Sequence, residues 1–275
     1  MKEENFTLVL EELDSSILIT VPHGGMNSKY GSWLECFFNK RVKSDIEEKN
    51  YIDGEKIVIG GDGQVLHIVS DILKQKKVNL VAGLLPRNFV DYNRFVPEVA
   101  YADENIAQYY KAYHQAIEET IEKLLTKHKV VTLFDFHGFG KQPIENETFD
   151  IILGTNGESS PRHVDIFLFN SLEEKYNIFC AGLRNSTEFY VGDSTNLYYH
   201  KKYGIEGLLV EISPKFRSSK LKDSKEKGRQ LSHDLASFFI EVEKRNKELS
   251  SEEFQLDEIS KRLKNEISKK LKTVP

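Results

Sequence analysis

Short apolar runs rich in β-branched residues recur along this chain, separated by longer stretches in which apolar positions return every three or four residues. The first pattern is that of buried strands and the second that of amphipathic helices. Strands are predicted near 17–21, 78–84, 130–135, 149–153, 178–181 and 207–212. One helix is predicted from Gly63 to Lys76, with Val65, Ile68, Val69, Ile72 and Leu73 on one face. A longer one covers 101–127, with Ile106, Tyr110, Tyr113, Ile117, Ile121 and Leu124 aligned. Pro161 marks the start of a third, running to about Tyr176, because proline suits the first helical position. Residues 34–59 are charged and irregular, with a hairpin suggested at Asp53-Gly54. Alternation of strand and helix argues for an α/β layer architecture with a mixed, mostly parallel sheet flanked by helices.

The last fifty or so residues change character. Residues 222–247 carry Leu231, Leu235, Phe238, Phe239 and Val242 at helical spacing, and 252–272 carry Phe254, Leu256, Ile259, Leu263 and Ile267. Two C-terminal amphipathic helices are expected, their apolar stripes facing a core, with an oligomer contact as the alternative. The expected organisation is an α/β domain over 1–220 and a helical extension over 221–275 packed on the same domain.

Three polar clusters sit at the ends of apolar runs: Val21-Pro22-His23-Gly24-Gly25, Asp135-Phe136-His137-Gly138 and Val210-Glu211-Ile212-Ser213. Ligands of open α/β sheets bind just beyond the carboxyl ends of the strands, so these clusters would converge on one crevice. Imidazoles that hold an ion and a carboxylate that handles protons suit a hydrolytic metal site. His23 is a candidate ligand, the plain alternative being a locally hydrogen-bonded turn. His137 is a second, with Asp135 on the same face of the strand to orient its ring. Zinc needs a third protein ligand. An acid three residues after the first histidine is missing, because Met26 stands there. Asp62 is the next candidate, and its alternative role is capping the helix that follows. Glu211, inside an apolar strand, is costly unless it is paired with a buried arginine or acts as a general base. Arg87 and Asp91-Tyr92-Asn93-Arg94 follow a predicted strand. The forked guanidinium groups of Arg87 and Arg94, with Asn93, suit anchoring of a substrate carboxylate. Ion pairing with Asp91, Glu98 or Asp103 is the competing role. His67, His114, His128, His163 and His233 are expected on the surface or on helix faces, and His200 is a weaker pocket candidate.

The bulk numbers narrow the partners. The chain has 275 residues, 39% hydrophobic and 29% charged, with a formal net charge of -5. That balance disfavours nucleic acid, and no apolar stretch approaches the roughly 18 residues of a membrane span. Two cysteines, Cys36 and Cys180, give no metal spacing and read as buried free thiols, which points to the cytoplasm.

These residues, in this order, resemble the N-formylglutamate amidohydrolase family, zinc-dependent amidohydrolases related to the zinc carboxypeptidases. The matching pieces are Pro22-His23-Gly24-Gly25, Asp62, Arg87 with Asp91-Tyr92-Asn93-Arg94, Asp135-Phe136-His137-Gly138, Gly192 through Tyr203-Gly204, and Val210-Glu211-Ile212. The resemblance implies a zinc-carboxypeptidase-like sheet with Zn2+ at the strand ends, His23, Asp62 and His137 as ligands, and Glu211 as the catalytic glutamate. It also places Asn93 and Arg94 where a substrate carboxylate is held. The family often has serine or alanine beside the first glycine and serine after the second histidine, where this chain has glycine at both places, and Gly63 replaces the usual aromatic after Asp62. The expected activity is hydrolysis of the linear amide of a small N-acyl acidic amino acid. A metallocarboxypeptidase or poly-γ-glutamate-type peptidase acting on a short peptide is the second reading. A metal-free binding protein for acidic metabolites is the third.

Overall fold

A computed structural model describes residues 2–4, 6–24, 49–52, 55–58, 62, 65–85, 87, 90–95, 100–101, 104–140, 142–144, 146–181, 195–218 and 221–251. Their strands are β1 (Lys2–Glu4), β2 (Thr7–Leu10), β3 (Ile17–Val21), β4 (Lys49–Ile52), β5 (Glu55–Val58), β6 (Asn79–Gly83), β7 (Thr132–Gly138), β8 (Ile151–Gly154), β9 (Ile178–Ala181) and β10 (Glu206–Ile212). Their helices are α1 (Val65–Gln75), α2 (Glu104–Leu125), α3 (Val164–Leu172), α4 (Thr195–Tyr203), α5 (Pro214–Arg217) and α6 (Ser224–Ser251). Eight strands form one mixed sheet in the order β1-β2-β6-β3-β7-β10-β8-β9, and β4 and β5 pair separately as an antiparallel ribbon on either side of 53–54. The four central strands, β6, β3, β7 and β10, are mutually parallel, whereas β2 and β8 join them antiparallel. All four central carboxyl ends therefore open on the same edge.

Period-two alternation assigns the two faces of the sheet. Ile17, Ile19, Val21, Phe134, Phe136, Leu208, Val210 and Ile212 pack with Val65, Ile68, Val69 and Ile72 of α1 and with Leu231, Leu235, Phe238, Phe239 and Val242 of α6. Leu18, Val81 and Leu133 face the other way, onto Ile106, Tyr113, Ile117, Ile121 and Leu124 of α2 and onto Tyr199 of α4. The apolar stripe read at 222–247 is thus a core face. The expected helix at 252–272 lies outside the described residues, as do Gly25, Cys36 and Gly192. Cys180 is buried. No helix among the described residues is long and apolar enough to cross a membrane.

Several expectations shift. β7 runs on through His137 to Gly138 rather than stopping at 135, because β10 pairs with it along its whole length. The helix expected at Pro161 begins at Val164: the amide of Arg162 is taken by the buried Glu206 carboxylate, and His163 adopts a left-handed conformation with φ 58°. The edge strand β1 is short and charged, β2 is a run of only four residues, and α4 mixes tyrosines with polar residues, so none of the three stood out. His114 is not on the surface. Its Nδ1 is 2.7 Å from the Tyr199 hydroxyl and its Nε2 is 3.1 Å from the Tyr92 carbonyl, inside the α2 layer. His200 is half-buried, with its Nδ1 2.7 Å from the Ile205 carbonyl just beyond α4. His67 and His233 are exposed, and His128 and His163 are half-buried.

Burial holds the His114 ring neutral, with its pKa lowered from 6.5 to about 4. Below 6.5 the unfolded chain takes up a proton that the folded chain refuses, so this stabilisation is complete above pH 6.5 and is lost as the pH falls through 4. The stability advantage of wild type over His114→Gln is expected to shrink by about 3 kcal/mol between pH 7.5 and pH 4, at 1.36 kcal/mol per pKa unit. Urea denaturation of both proteins across that range measures it, and a pH-independent difference would contradict a neutral buried ring.

Candidate metal and catalytic centre

The polar residues gather where the apolar sheet ends. His23 follows β3 by two residues, with Pro22 between them. His137 is the last residue but one of β7, and Glu211 is the last but one of β10. Parallel pairing sets Glu211 directly beside His137. In both strands these positions alternate away from the α1–α6 face, so both side chains leave the sheet on the α2–α4 side. Asp62 enters from the segment preceding α1 and sets Oδ2 2.9 Å from His137 Nδ1. The imidazole rings of His23 and His137 meet edge to face, their centroids 5.3 Å apart. His23, Asp62 and His137 each bring one donor atom within 4.8 Å of the others, a cluster able to hold a metal ion. All three side chains are buried.

Each histidine has its own carboxylate behind it. His137 Nε2 lies 3.0 Å from Asp135 Oδ2, and Asp135 Oδ1 accepts a 2.6 Å bond from the Thr20 hydroxyl on the neighbouring strand. Thr20 and Asp135 are register partners, so the sheet itself fixes that carboxylate. His23 Nε2 lies 3.4 Å from Asp91 Oδ1. Asp91 is buried, accepts from Arg87 Nε at 3.0 Å and lies 3.9 Å from Arg94 Nε. It thereby joins the histidine cluster to the two arginines. The role of Asp91 beside His23 is not among the expected ones; its spacing of three residues from Arg94 is the signal that the sequence offers for its part in the charge network.

Asn93 is held by the start of α4, where its Oδ1 accepts from the Thr195 amide at 3.3 Å and the Thr195 hydroxyl at 2.9 Å. Its amide nitrogen is left as the donor end. Arg94 has 40% of its side chain exposed, against 20% for Arg87. The segment reaches the site by a close approach: a Cβ on Gly83 would lie 2.4 Å from the Tyr92 ring, so only glycine lets Tyr92 seat against the end of β6. The seven residues expected at the site are therefore distributed in two groups bridged by Asp91: His23, Asp62, His137 and Glu211 at the strand ends, and Arg87, Asn93 and Arg94 beyond β6.

Burial and charge oppose one another at His23, Asp62, His137 and Glu211. Desolvation lowers the His23 pKa to about 4 despite Asp62 and Asp91. Burial also works against the His137 imidazolium, but Asp135 and Asp62 outweigh it and raise the pKa well above the usual value. Burial would raise Asp62, yet His23 and His137 hold it well below the carboxylate range. Glu211 is pushed up to about 7, chiefly by burial and then by Asp62, with His137 and Arg217 opposing. Among the described residues, both ring nitrogens of His23 and Oε2 of Glu211 are buried without a hydrogen-bond partner. Such groups are costly to leave unsatisfied and mark a place built to receive something polar.

Residues 96–216 match the N-formylglutamate amidohydrolase family. The match bears out the family resemblance read from the motifs and supports a hydrolase. His137 and Glu211 lie within the matched segment; His23, Asp62, Arg87, Asn93 and Arg94 precede it. The N-formylglutamate amidohydrolase of Ralstonia eutropha JMP134 superposes with a TM-score of 0.60 at 15% identity, over 89% of this chain and 99% of that one. A gene product of Agrobacterium tumefaciens superposes with a TM-score of 0.57 at 14% identity, over 86% of this chain and 93% of that one. These likenesses establish the fold, a mixed α/β sheet flanked by helices. No curated protein matches the chain significantly.

Asp91 is expected to hold this site together. Asp91→Ala leaves a buried imidazole and two arginines without their shared carboxylate, and should destabilise the protein by about 3 kcal/mol, the cost of breaking a buried ion pair from one side. Thermal and urea denaturation measure it. A loss under about 1 kcal/mol, typical of exposed pairs, would mean that solvent already screens the group.

Proposed function

We propose that this chain is a zinc-dependent amidohydrolase that cleaves the linear amide of a small N-acyl acidic amino acid, of which N-formylglutamate is the type. The observation that carries the proposal is the buried His23–Asp62–His137 cluster beside the unpartnered carboxylate of Glu211. The donor set fits zinc: two imidazoles and one carboxylate leave a position open for chemistry. His137 would offer Nδ1, since Nε2 is committed to Asp135, and His23 would offer Nδ1, the nitrogen that does not face Asp91. Asp135 and Asp91 stand where the carboxylates behind metal-bound histidines belong. Bound there, zinc supplies Lewis-acid polarisation of a carbonyl and acidifies a water molecule.

The chain's own residues account for the rest. Glu211, beside His137 and shielded from solvent, accepts the water proton at Oε2 as the water attacks the carbonyl carbon. It then delivers that proton to the leaving nitrogen, so that one carboxylate serves both halves of the reaction. Arg94, with Arg87 and the amide of Asn93, receives the substrate carboxylate and sets the register of the amide against Glu211. The name of the Ralstonia relative supports an N-acyl glutamate-like substrate. A cytoplasmic setting goes with a chain of only two cysteines, which give no disulfide framework.

Metal analysis of the purified protein should find one zinc per chain, lost in His23→Ala and in His137→Ala. Glu211→Gln should retain fold and zinc while kcat falls by roughly 10²–10⁴, the range for lost proton transfer. Full zinc in either histidine variant, or full activity in Glu211→Gln, would refute these assignments.

A panel of N-acyl amino acids and short peptides tests the substrate class. Arg94→Ala should cost on the order of 2–4 kcal/mol in kcat/KM for acidic substrates, as a charge-assisted contact is lost, with zinc content unchanged. Loss of metal or of fold in that variant would instead make Arg94 a structural partner of Asp91. Preference for peptides over N-acyl amino acids would favour the peptidase reading, and a metal-free, inactive wild type would favour a binding protein.

A further inference from the structure

We infer that Arg217 is a positioning residue that sets the spacing between the metal-binding cluster and Glu211, an inference that rests on the metal-site reading above. Arg217 closes the single turn of α5 and is buried, 4% exposed. Its Nε donates to the Ile212 carbonyl at 2.9 Å, its Nη1 to the Asp62 carbonyl at 2.9 Å, and its Nη2 to the Phe139 carbonyl at 2.6 Å. Those acceptors belong to three separate segments. Ile212 follows Glu211, Asp62 is itself a cluster member, and Phe139 stands two residues beyond His137. One rigid, planar fork therefore spans the residues that supply the proton carrier and two of the three candidate ligands. Lysine has no such fixed fork.

The surroundings are shaped for this group. A Cβ on Gly138 would come within 2.5 Å of the guanidinium carbon and Nε, and within 2.7 Å of the Asp62 carbonyl. The glycine after the second histidine, where serine is usual in the resembling family, is here the space in which the Arg217 head lies. The chain also turns Arg217 back deliberately. Ser213 caps α5 by accepting from the Lys215 amide, and Pro214 occupies the first helical turn. This serine–proline pair starts the turn immediately after β10 and returns the arginine to the carbonyl of Ile212. Glu211 gains no ion pair from Arg217 among the described residues. The guanidinium lowers the cost of its charge only from a distance, while the donors go to main-chain carbonyls.

The test uses the full chain with Arg217→Met, which keeps length without donors, Arg217→Lys and Gly138→Ala. Zinc affinity is measured by chelator competition without substrate, kcat and KM on the best substrate of the panel, and amide exchange in the metal-free proteins. Arg217→Met should weaken zinc binding at least tenfold, as loss of an outer partner of a ligand does. It should also lower kcat more than it changes KM, and speed exchange in peptides carrying Asp62 and Phe139. Arg217→Lys should recover part of each effect. Gly138→Ala, which keeps every donor but displaces the head, should weaken zinc similarly. If Arg217→Met fails to fold, the lysine and alanine variants carry the decision. A lower Tm with unchanged zinc affinity and kcat would make Arg217 a stability residue only and overturn the inference. A wild type that binds no zinc would defeat the metal reading and, with it, the positioning role toward the metal; normal zinc in the wild type and in all three variants would defeat the positioning role alone.

Discussion

Four carboxylates and two imidazoles share a buried space at the end of an apolar sheet, and the surrounding structure is arranged to make that tolerable. Desolvation disfavours the charged form of a buried group. Three of the carboxylates are answered by a neighbour: Asp62 by His137, Asp91 by Arg87 and Asp135 by Thr20. Thr20 is set opposite Asp135 by the pairing of β3 with β7, and Asp135 lies two residues before His137 on the same face. Glu211 is the exception, held beside His137 by the pairing of β7 with β10 and left with a bare oxygen. The difference is chemical: the answered carboxylates orient rings, and the unanswered one is available to a proton.

Asp91 and Arg217 are the two residues that carry this arrangement outward. Asp91 ties His23 to the arginines beyond β6, so the group that would hold the metal and the group that would hold a carboxylate are parts of one charge network. Arg217 spends its donors on main-chain oxygens and so acts on the shape of the site rather than on its charge. Tyr92, packed against Gly83, and Asn93, held by Thr195, lock the intervening turn between those charges.

Much of this was readable in the amino-acid order. Runs such as Ile17–Val21 and Gly207–Ile212 are buried on both sides, so their apolar content is continuous and their ends are sharp. The histidines and Glu211 stood out because polar residues at such ends need a reason. What stayed hidden depends on long-range partners. The end of β7 could not be placed from Thr132–Asp135 alone, since β10, more than seventy residues later, extends it. Pro161 suggested a helix start, but the left-handed backbone of His163 postpones it to Val164. His114 lies on a helix stripe like any other polar residue, and only the arrival of Tyr199 from α4 explains its burial. Arg217 looked like one cation among many, although Ser213-Pro214 before it announced a tight turn.

The parallel centre of the sheet also governs when the site can exist. Ile17 pairs with Thr132, more than a hundred residues away, and Thr132 in turn with Glu206. Closing such loops precedes any reward from the contacts they make, so topologies of this kind assemble slowly. During synthesis, His23 would emerge long before His137, and both before Glu211 could take its place between β7 and β8. No local fragment holds the donor cluster, and the strands that present it have no complete sheet to join until the chain has passed residue 212. A metal held by this cluster would thereby be tied to the finished fold, and a half-made chain offers scattered histidines rather than a site.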